Sequence, residues 1–152
     1  MKTLTLMLSL LLSLPLLSLP VMASDRGEQK QVFGDYEVHY IGLTSNFIDE
    51  KTAQAYDIPR SRQLGYLSIS VLKTHKNATP TPVRASVSGT IKNLIGQTRD
   101  LELREISETG AVYYITTFPF HEEEVYRIAL KVTPEGQTRT YDVNFSQKFY
   151  EE

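Results

Sequence analysis

The chain has 152 residues, a formal net charge of −2 and no cysteine. This near balance of charges gives no electrostatic attraction toward nucleic acid or anionic lipid, so neither is an expected partner. No disulfide can form, and a domain of this length must therefore be held together by packing alone.

The N-terminus has the composition of a secretory signal peptide. Lys2 supplies the positive start, residues 4–19 are mostly leucine, and Val21-Met22-Ala23 fits a small-residue cleavage site. A membrane anchor is the competing interpretation, but prolines and serines interrupt the apolar run, which is shorter than the roughly 20 residues of a membrane span. We predict a signal peptide at 1–23 and a single mature domain at 24–152, exported to the periplasm and not stably inserted in the membrane.

Seven segments of the mature chain have alternating apolar residues or are rich in β-branched and aromatic residues, which predicts strands. They lie near residues 32–41, 64–73, 83–91, 101–103, 111–118, 126–132 and 141–145. Residues 74–82 contain two prolines and an asparagine and are predicted as a loop, and Gly89 is predicted to mark a bulge or bend. The regular spacing predicts an all-β fold: an immunoglobulin-like antiparallel β-sandwich of about seven strands with one short helix. A small closed barrel is the alternative.

The short helix is predicted between the first two strands. Asp49 is a suitable N-cap, since its carboxylate can accept hydrogen bonds from free amide groups at the positive end of the helix. Pro59 lacks an amide hydrogen and disfavours helical angles at the residue before it, so the helix should end by Asp57. Because two turns are not stable alone, we expect Phe47 and Tyr56 to anchor the helix on the sheet.

A tetrapeptide occurs twice, as Gly96-Gln97-Thr98-Arg99 and as Gly136-Gln137-Thr138-Arg139. The flanking residues do not match, which argues against an internal duplication. We predict two hairpins with the same turn chemistry, in which glycine supplies the positive φ angle.

The strongest sequence signature is Phe33-Gly34-Asp35-Tyr36-Glu37-Val38-His39-Tyr40 followed by Ala55-Tyr56-Asp57-Ile58-Pro59-Arg60-Ser61 and Leu67-Ser68-Ile69-Ser70-Val71. This pattern resembles the bacterial domain-of-unknown-function 4426 family over nearly the whole mature chain. Members look like exported proteins of Gram-negative bacteria, so the resemblance implies a periplasmic location. The family has no agreed activity, and the resemblance assigns no catalytic residue.

Four residues at the corner between the helix and the next strand form the candidate binding site. They are Tyr56, Arg60, Ser61 and Arg62. The planar fork of arginine suits carboxylates and phosphates, so one interpretation is a contact with an anion or a peptide carboxylate. The other is structural: Arg60 ties the helix to the strand through backbone carbonyls or a nearby acid, and Arg62 does so less.

The sequence contains no coherent catalytic or metal-binding set. His39, His75 and His121 are scattered and form no His-x-His or His-x-x-x-His pair. All three methionines lie in the predicted signal peptide, which removes soft ligands for Cu(I) from the mature chain. No serine lies in a nucleophile motif, and the acids of Glu122–Glu124 are adjacent rather than paired across a cleft. We predict no enzyme activity, no cofactor and no tight metal site.

These observations favour a non-enzymatic module that contacts another periplasmic or envelope protein. The alternative is a small-ligand or metal-binding module that uses the Arg60 corner or the histidines. A pocket where Arg60, Tyr56 and a histidine converge would favour the alternative, and an exposed apolar patch or open sheet edge would favour protein binding.

Overall fold

The computed structural model describes residues 28–151, and the predicted signal peptide at 1–23 lies outside this range. The strands, in chain order, are β1 (Gln29–Phe33), β2 (Tyr36–Thr44), β3 (Leu64–His75), β4 (Ala78–Pro82), β5 (Ala85–Lys92), β6 (Thr98–Asp100), β7 (Arg104–Glu108), β8 (Ala111–Pro119), β9 (Val125–Pro134) and β10 (Tyr141–Lys148). A 3₁₀ turn (Ser45–Phe47) and the helix α1 (Glu50–Ala55) lie between β2 and β3. No helix within 28–151 has the length and apolarity needed to span a membrane.

The strands form two antiparallel sheets, which confirms the predicted all-β sandwich and excludes the small closed barrel. The first sheet has the order β1-β2-β3-β8-β7, with β4 paired to the end of β3. The second has the order β10-β9-β5-β6. Alternate residues of β2, β3 and β9 are buried, as the sequence pattern predicted, and their side chains meet between the sheets.

The part of the sandwich that the structure describes has ten strands rather than about seven. One predicted strand is a β1–β2 hairpin, and the predicted loop at 74–82 contains β4, which pairs with β3. The segment 101–103 is not a strand, because it crosses from β6 in one sheet to β7 in the other. Its contact with β5 is a hydrogen bond from the Leu101 amide to the Gly89 carbonyl at 2.8 Å. Its leucines instead pack on the core, and Leu101 is buried.

Gly89 is not a bulge. The pairing of β5 with β9 runs without a register shift from Ala85 to Lys92. A Cβ at Gly89 would lie 2.6 Å from the Leu130 side chain and 2.9 Å from the Ala129 carbonyl. Glycine is therefore required here by the close approach of the neighbouring strand.

The two ends of the sandwich differ in their connections. At one end, which we call the hairpin pole, turns at 34–35, 76–77, 109–110 and 135–136 close four hairpins. At the other end, the loop pole, lie residues 45–63, 93–97, 120–124 and 149–151. The register places the predicted Arg60 corner at the loop pole, because Thr44 pairs with Gly65 and Gly65 pairs with Phe118.

Phe149 forms the floor of the loop pole. It is 2% exposed and contacts the rings of Phe118, Phe120 and Tyr126, with centroid distances of 5.2, 5.5 and 6.2 Å. These rings come from both sheets. Aromatic packing therefore fixes the surface above it.

Candidate functional site

The predicted corner is held by short polar contacts. The Arg60 guanidinium donates a hydrogen bond to the Asn46 carbonyl at 2.9 Å. Ser45 is fully buried; its hydroxyl accepts from the Ser61 amide at 2.9 Å and contacts the Ser61 carbonyl at 3.2 Å. The 3₁₀ turn is thus fastened to the segment between α1 and β3. Arg62 is exposed and makes no hydrogen bond or ion pair with another residue of 28–151.

The helix α1 begins and ends as predicted. Asp49 is its N-cap and accepts a hydrogen bond from the Thr52 amide at 3.0 Å. Hydrogen bonds from Thr52, from its side chain first and then its amide, lower the pKa of Asp49. Tyr56 is partly buried and packs on a small cluster of Ala53, Ile58 and Ile115.

Phe47 is not an anchor of the helix, contrary to prediction. Its side chain is 56% exposed. The 3₁₀ turn has room to bury only one residue of its three, and that residue is Ser45. Phe47 consequently faces solvent at the loop pole.

An arginine that the sequence analysis missed anchors the end of α1. Arg104, on β7, donates from one guanidinium nitrogen to the carbonyls of Tyr56 and, at 3.2 Å, Asp57. Asp57 has a φ angle of 53°, so the chain reverses where Arg104 holds it. Arg104 and Asp57 are 47 positions apart in sequence, so no local sequence pattern predicts their contact.

The three histidines lie in three different places. His39 is on the outer face of β2, where its two ring nitrogens lie 2.8 Å from carboxylate oxygens of Glu28 and Glu37. Lys30 also bonds Glu37 at 3.0 Å, and the hydrogen bonds from His39 and then Lys30 lower the pKa of Glu37. His75 contacts the Thr81 hydroxyl at the hairpin pole, and His121 lies at the loop pole.

The Glu28–His39–Glu37 group does not form a metal-ligand set. The two carboxylates lie on opposite sides of the imidazole ring, so one ion could not contact all three side chains. Within residues 28–151, no three side chains of His, Cys, Asp or Glu are placed to hold a metal ion.

A pocket of about 380 Å³ opens at the loop pole between the two sheets. Its lining residues are Ile91, Asn93, Gln97, Arg99, Pro119, His121 and Tyr126. This set includes His121 and two residues of the first copy of the repeated tetrapeptide, Gln97 and Arg99, but none of the four corner residues. The corner is nevertheless adjacent, since the Phe120 amide donates to the Gln63 carbonyl at 3.3 Å.

Two side chains fix the shape of this pocket. The Tyr126 hydroxyl accepts from the His121 amide at 2.9 Å and donates to the Glu124 carboxylate at 3.0 Å. Burial raises the pKa of Tyr126, so the hydroxyl keeps its proton and remains a donor to Glu124. Arg99, from β6, reaches across to the other sheet and donates to the Pro119 carbonyl at 2.8 Å.

The β5–β6 turn beside the pocket presents two large apolar side chains to solvent. Leu94 is 63% exposed and Ile95 is 79% exposed. The turn is fixed by Asn93, whose side chain bonds both the amide and the side chain of Gln97 at 2.8 Å. Gly96 has a φ of 87°, as the predicted turn requires.

Comparison with known proteins identifies the family. The family model described as "Domain of unknown function (DUF4426)" matches residues 30–152. The chain belongs to the DUF4426 family. The solved structure of a DUF4426 family protein from Pseudomonas aeruginosa PAO1 is similar, with 32% sequence identity, a TM-score of 0.71, and 83% of this chain and 97% of that chain covered. No curated protein matches the chain.

Two structures of another protein share the fold of this DUF4426 chain. FetP from uropathogenic Escherichia coli strain F11 has 10% identity and a TM-score of 0.59, with 82% of this chain and 94% of that chain covered. A copper-bound variant of the same FetP has 12% identity and a TM-score of 0.58, with 82% and 95% covered. At these identities the likeness establishes the sandwich fold alone.

The DUF4426 pocket could not be found from local sequence patterns. Arg99, His121 and Tyr126 come from three separate segments, and only the antiparallel register brings them together. The exposed Leu94-Ile95 pair did leave a signal, since two large apolar residues in a tight polar turn have no core to enter.

Proposed function

We propose that this DUF4426 protein is a non-enzymatic binding module of the cell envelope that contacts a partner protein through its loop pole. The observation that carries the proposal is the exposed pair Leu94 and Ile95 on a turn held in one shape by Asn93. A turn whose backbone is already held in one conformation loses little backbone freedom on binding. Such residues at the centre of a contact often supply most of its affinity.

The surroundings of the pair suit a protein partner. Phe47 and Tyr150, which are 56% and 38% exposed, add aromatic surface at the same pole. Polar and charged groups of the pocket lie immediately beside the turn. An apolar centre with a polar rim is the usual composition of a protein interface.

Site-specific photo-crosslinking tests this function. A photoreactive amino acid placed at Leu94 should give one defined protein adduct in cells, whereas the same residue at Tyr113, 41% exposed on β8, should not. With the adduct partner purified, the double variant Leu94→Ser/Ile95→Ser should weaken its binding at least about tenfold. Adducts of equal yield at both positions, or unchanged affinity of the double variant, would contradict the proposal.

Export to the periplasm is part of the same proposal and rests on the N-terminal pattern of residues 1–23. The mass of the protein recovered from a periplasmic extract should correspond to a chain that starts at Ser24. Recovery of the intact chain with Met1 in the membrane fraction would refute it.

A metal-binding module is the second candidate. It is favoured by the shared fold with FetP, one variant of which is copper-bound, and by the Glu28–His39–Glu37 group. It is weakened by the geometry of that group and by Lys30, whose charge already neutralises Glu37. A metal titration, described below, separates the two candidates.

A further inference from the structure

The two ends of the sandwich contain matching groups around a buried tyrosine. Near the hairpin pole, the Tyr114 hydroxyl accepts from the Ala85 amide at 2.7 Å and donates to Glu105 at 3.1 Å. At the loop pole, Tyr126 makes the same two kinds of bond with His121 and Glu124. In each group an arginine lies close enough to act on the tyrosine: Arg84 on Tyr114 and Arg99 on Tyr126.

The two arginines differ in how their charge is balanced. Arg84 forms an ion pair with Glu105 at 3.3 Å, so that group is complete in itself. Arg99 bonds only the Pro119 carbonyl, and no carboxylate of residues 28–151 lies within ion-pair distance of it. A guanidinium has five N–H donors, and this contact with a neutral acceptor leaves most of them available.

The pocket around Arg99 has the composition expected of a site for a carboxylate on an apolar side chain. Ile91, Pro119 and the Tyr126 ring supply apolar surface, and no Asp or Glu is among the lining residues. Asn93 and Gln97 are bonded to each other and do not compete for the guanidinium. A volume of about 380 Å³ accommodates a single terminal residue of a peptide.

We propose that the Arg99 pocket binds the C-terminal carboxylate of the partner, with the last side chain of that partner on the apolar wall. The proposal rests on the proposed function, since it assigns the polar half of the same contact. A peptide terminus is favoured over a free acid because Asn93 and Gln97, at the two ends of the turn that carries the exposed Leu94-Ile95 pair, border the pocket, so that a longer chain would also cover the pair.

The chain provides its own matched control. Arg139 holds the same position in the second tetrapeptide, but it lies over the Tyr141 ring at 5.5 Å, far from the pocket at the other pole. Arg99→Gln and Arg139→Gln therefore remove the same charge from the same local sequence. Arg99→Lys keeps the charge and loses the planar fork.

The probes are N-acetyl-Gly-Gly-Leu with a free carboxylate, its C-terminal amide, and N-acetyl-leucine, each titrated by NMR into the mature protein. We expect the tripeptide acid to shift resonances of Arg99, His121 and Tyr126 and to bind at least about tenfold more tightly than the amide. Arg99→Gln should abolish this difference, Arg99→Lys should retain part of it, and Arg139→Gln should leave it unchanged.

Three results would overturn the assignment. Equal affinities for the acid and the amide would show that the carboxylate is not recognised. An equal loss of affinity for the tripeptide acid in Arg99→Gln and Arg139→Gln would show that binding does not depend on the Arg99 pocket. Equal affinity for the tripeptide and N-acetyl-leucine would identify a small free acid as the occupant. Each of these could occur while crosslinking at Leu94 still gives its protein adduct, so failure of the carboxylate site is distinguishable from failure of the proposed function.

Discussion

Tyr114 and Tyr126 make the same pair of hydrogen bonds, but they differ in the arginine beside them. The arginine near Tyr114 is paired with a carboxylate, and the arginine near Tyr126 lines a pocket. Each tyrosine accepts a hydrogen bond from a backbone amide and donates one to a glutamate. Tyr114 thereby joins the two sheets, whereas Tyr126 fastens the loop 120–124 to β9. Near the hairpin pole, Arg84 and Glu105 complete the arrangement with an ion pair. At the loop pole, Arg99 faces a pocket instead. The same pair of hydrogen bonds to a tyrosine can therefore stabilise one end of a sandwich and border a candidate binding surface at the other.

Of the substitutions that separate the two poles, the removal of the aromatic floor of the loop pole should have the largest effect on stability. Phe149→Ala deletes a ring that is 2% exposed and contacts three other aromatic rings. We expect a loss of about 4 kcal/mol in the free energy of unfolding and a fall in Tm of roughly 15 °C. Denaturant and thermal unfolding measure both quantities. Phe47→Ala is the control and should change little, because that ring is exposed; similar effects of the two variants would contradict the assignment of Phe149 as the floor.

The two tyrosines should contribute comparably to stability although only one borders the pocket. Tyr114→Phe leaves the Ala85 amide without its acceptor, and Tyr126→Phe does the same to the His121 amide. Each change should cost about 1–3 kcal/mol in the free energy of unfolding. A cost from only one of them, measured by urea unfolding, would show that the two groups are not equivalent fasteners.

The same tyrosines predict loss of stability at alkaline pH. Burial raises the pKa of both above the ordinary value of 10.0. Above that pH an unfolded tyrosine loses its proton while the folded one keeps it, so the free energy of unfolding falls as pH rises. Tm should therefore decrease above a pH of about 10, and less steeply in the double variant Tyr114→Phe/Tyr126→Phe. An identical slope in parent and double variant would contradict this; Tyr113→Phe, an exposed position, is the control.

The arginines around the corner should follow the order of their contacts. Arg104→Ala releases two carbonyls at the end of α1 and should cost about 1–2 kcal/mol, whereas Arg60→Ala releases one carbonyl and should cost about 1 kcal/mol or less. Arg62→Ala should have no measurable effect on Tm. If Arg60→Ala melts like the parent but loses binding of the crosslinked partner, the corner belongs to the binding surface.

The smallest expected signal is that of metal titration. We expect calorimetry of the mature, tag-free protein with Cu(II) or Zn(II) to show no stoichiometric binding, because the described residues supply no three-ligand set. A one-to-one isotherm with sub-micromolar Kd would support the second candidate function. Its loss in His39→Ala, but not in His75→Ala, would place the ion at the Glu28–His39–Glu37 group.

Most of the strands, the helix and the two repeated turns follow from the sequence, because their causes are local, whereas β4, β6 and β7 lie outside the predicted strands. The alternation of apolar and polar residues predicts that Val38, Ile69 and Val132 are buried, and they are. Asp49 caps α1 as predicted. Gly96 and Gly136 have the positive φ angles expected of the two hairpin turns. The sequence could not show that 101–103 crosses between sheets, since pairing depends on a neighbouring strand that the segment itself does not specify.

The pocket at the loop pole depends on contacts between segments that are distant in sequence. Arg99 and Arg139 hold the same position in two identical tetrapeptides, yet Arg99 lines a pocket and Arg139 lies over a tyrosine ring. Strand order and register, not the local sequence, determine which residues each side chain contacts. The corner residues Tyr56, Arg60, Ser61 and Arg62 were located correctly between helix and strand, but the residue that holds the helix end, Arg104, comes from β7. Contacts between distant segments carry no local pattern, so they emerge only when the sheets assemble.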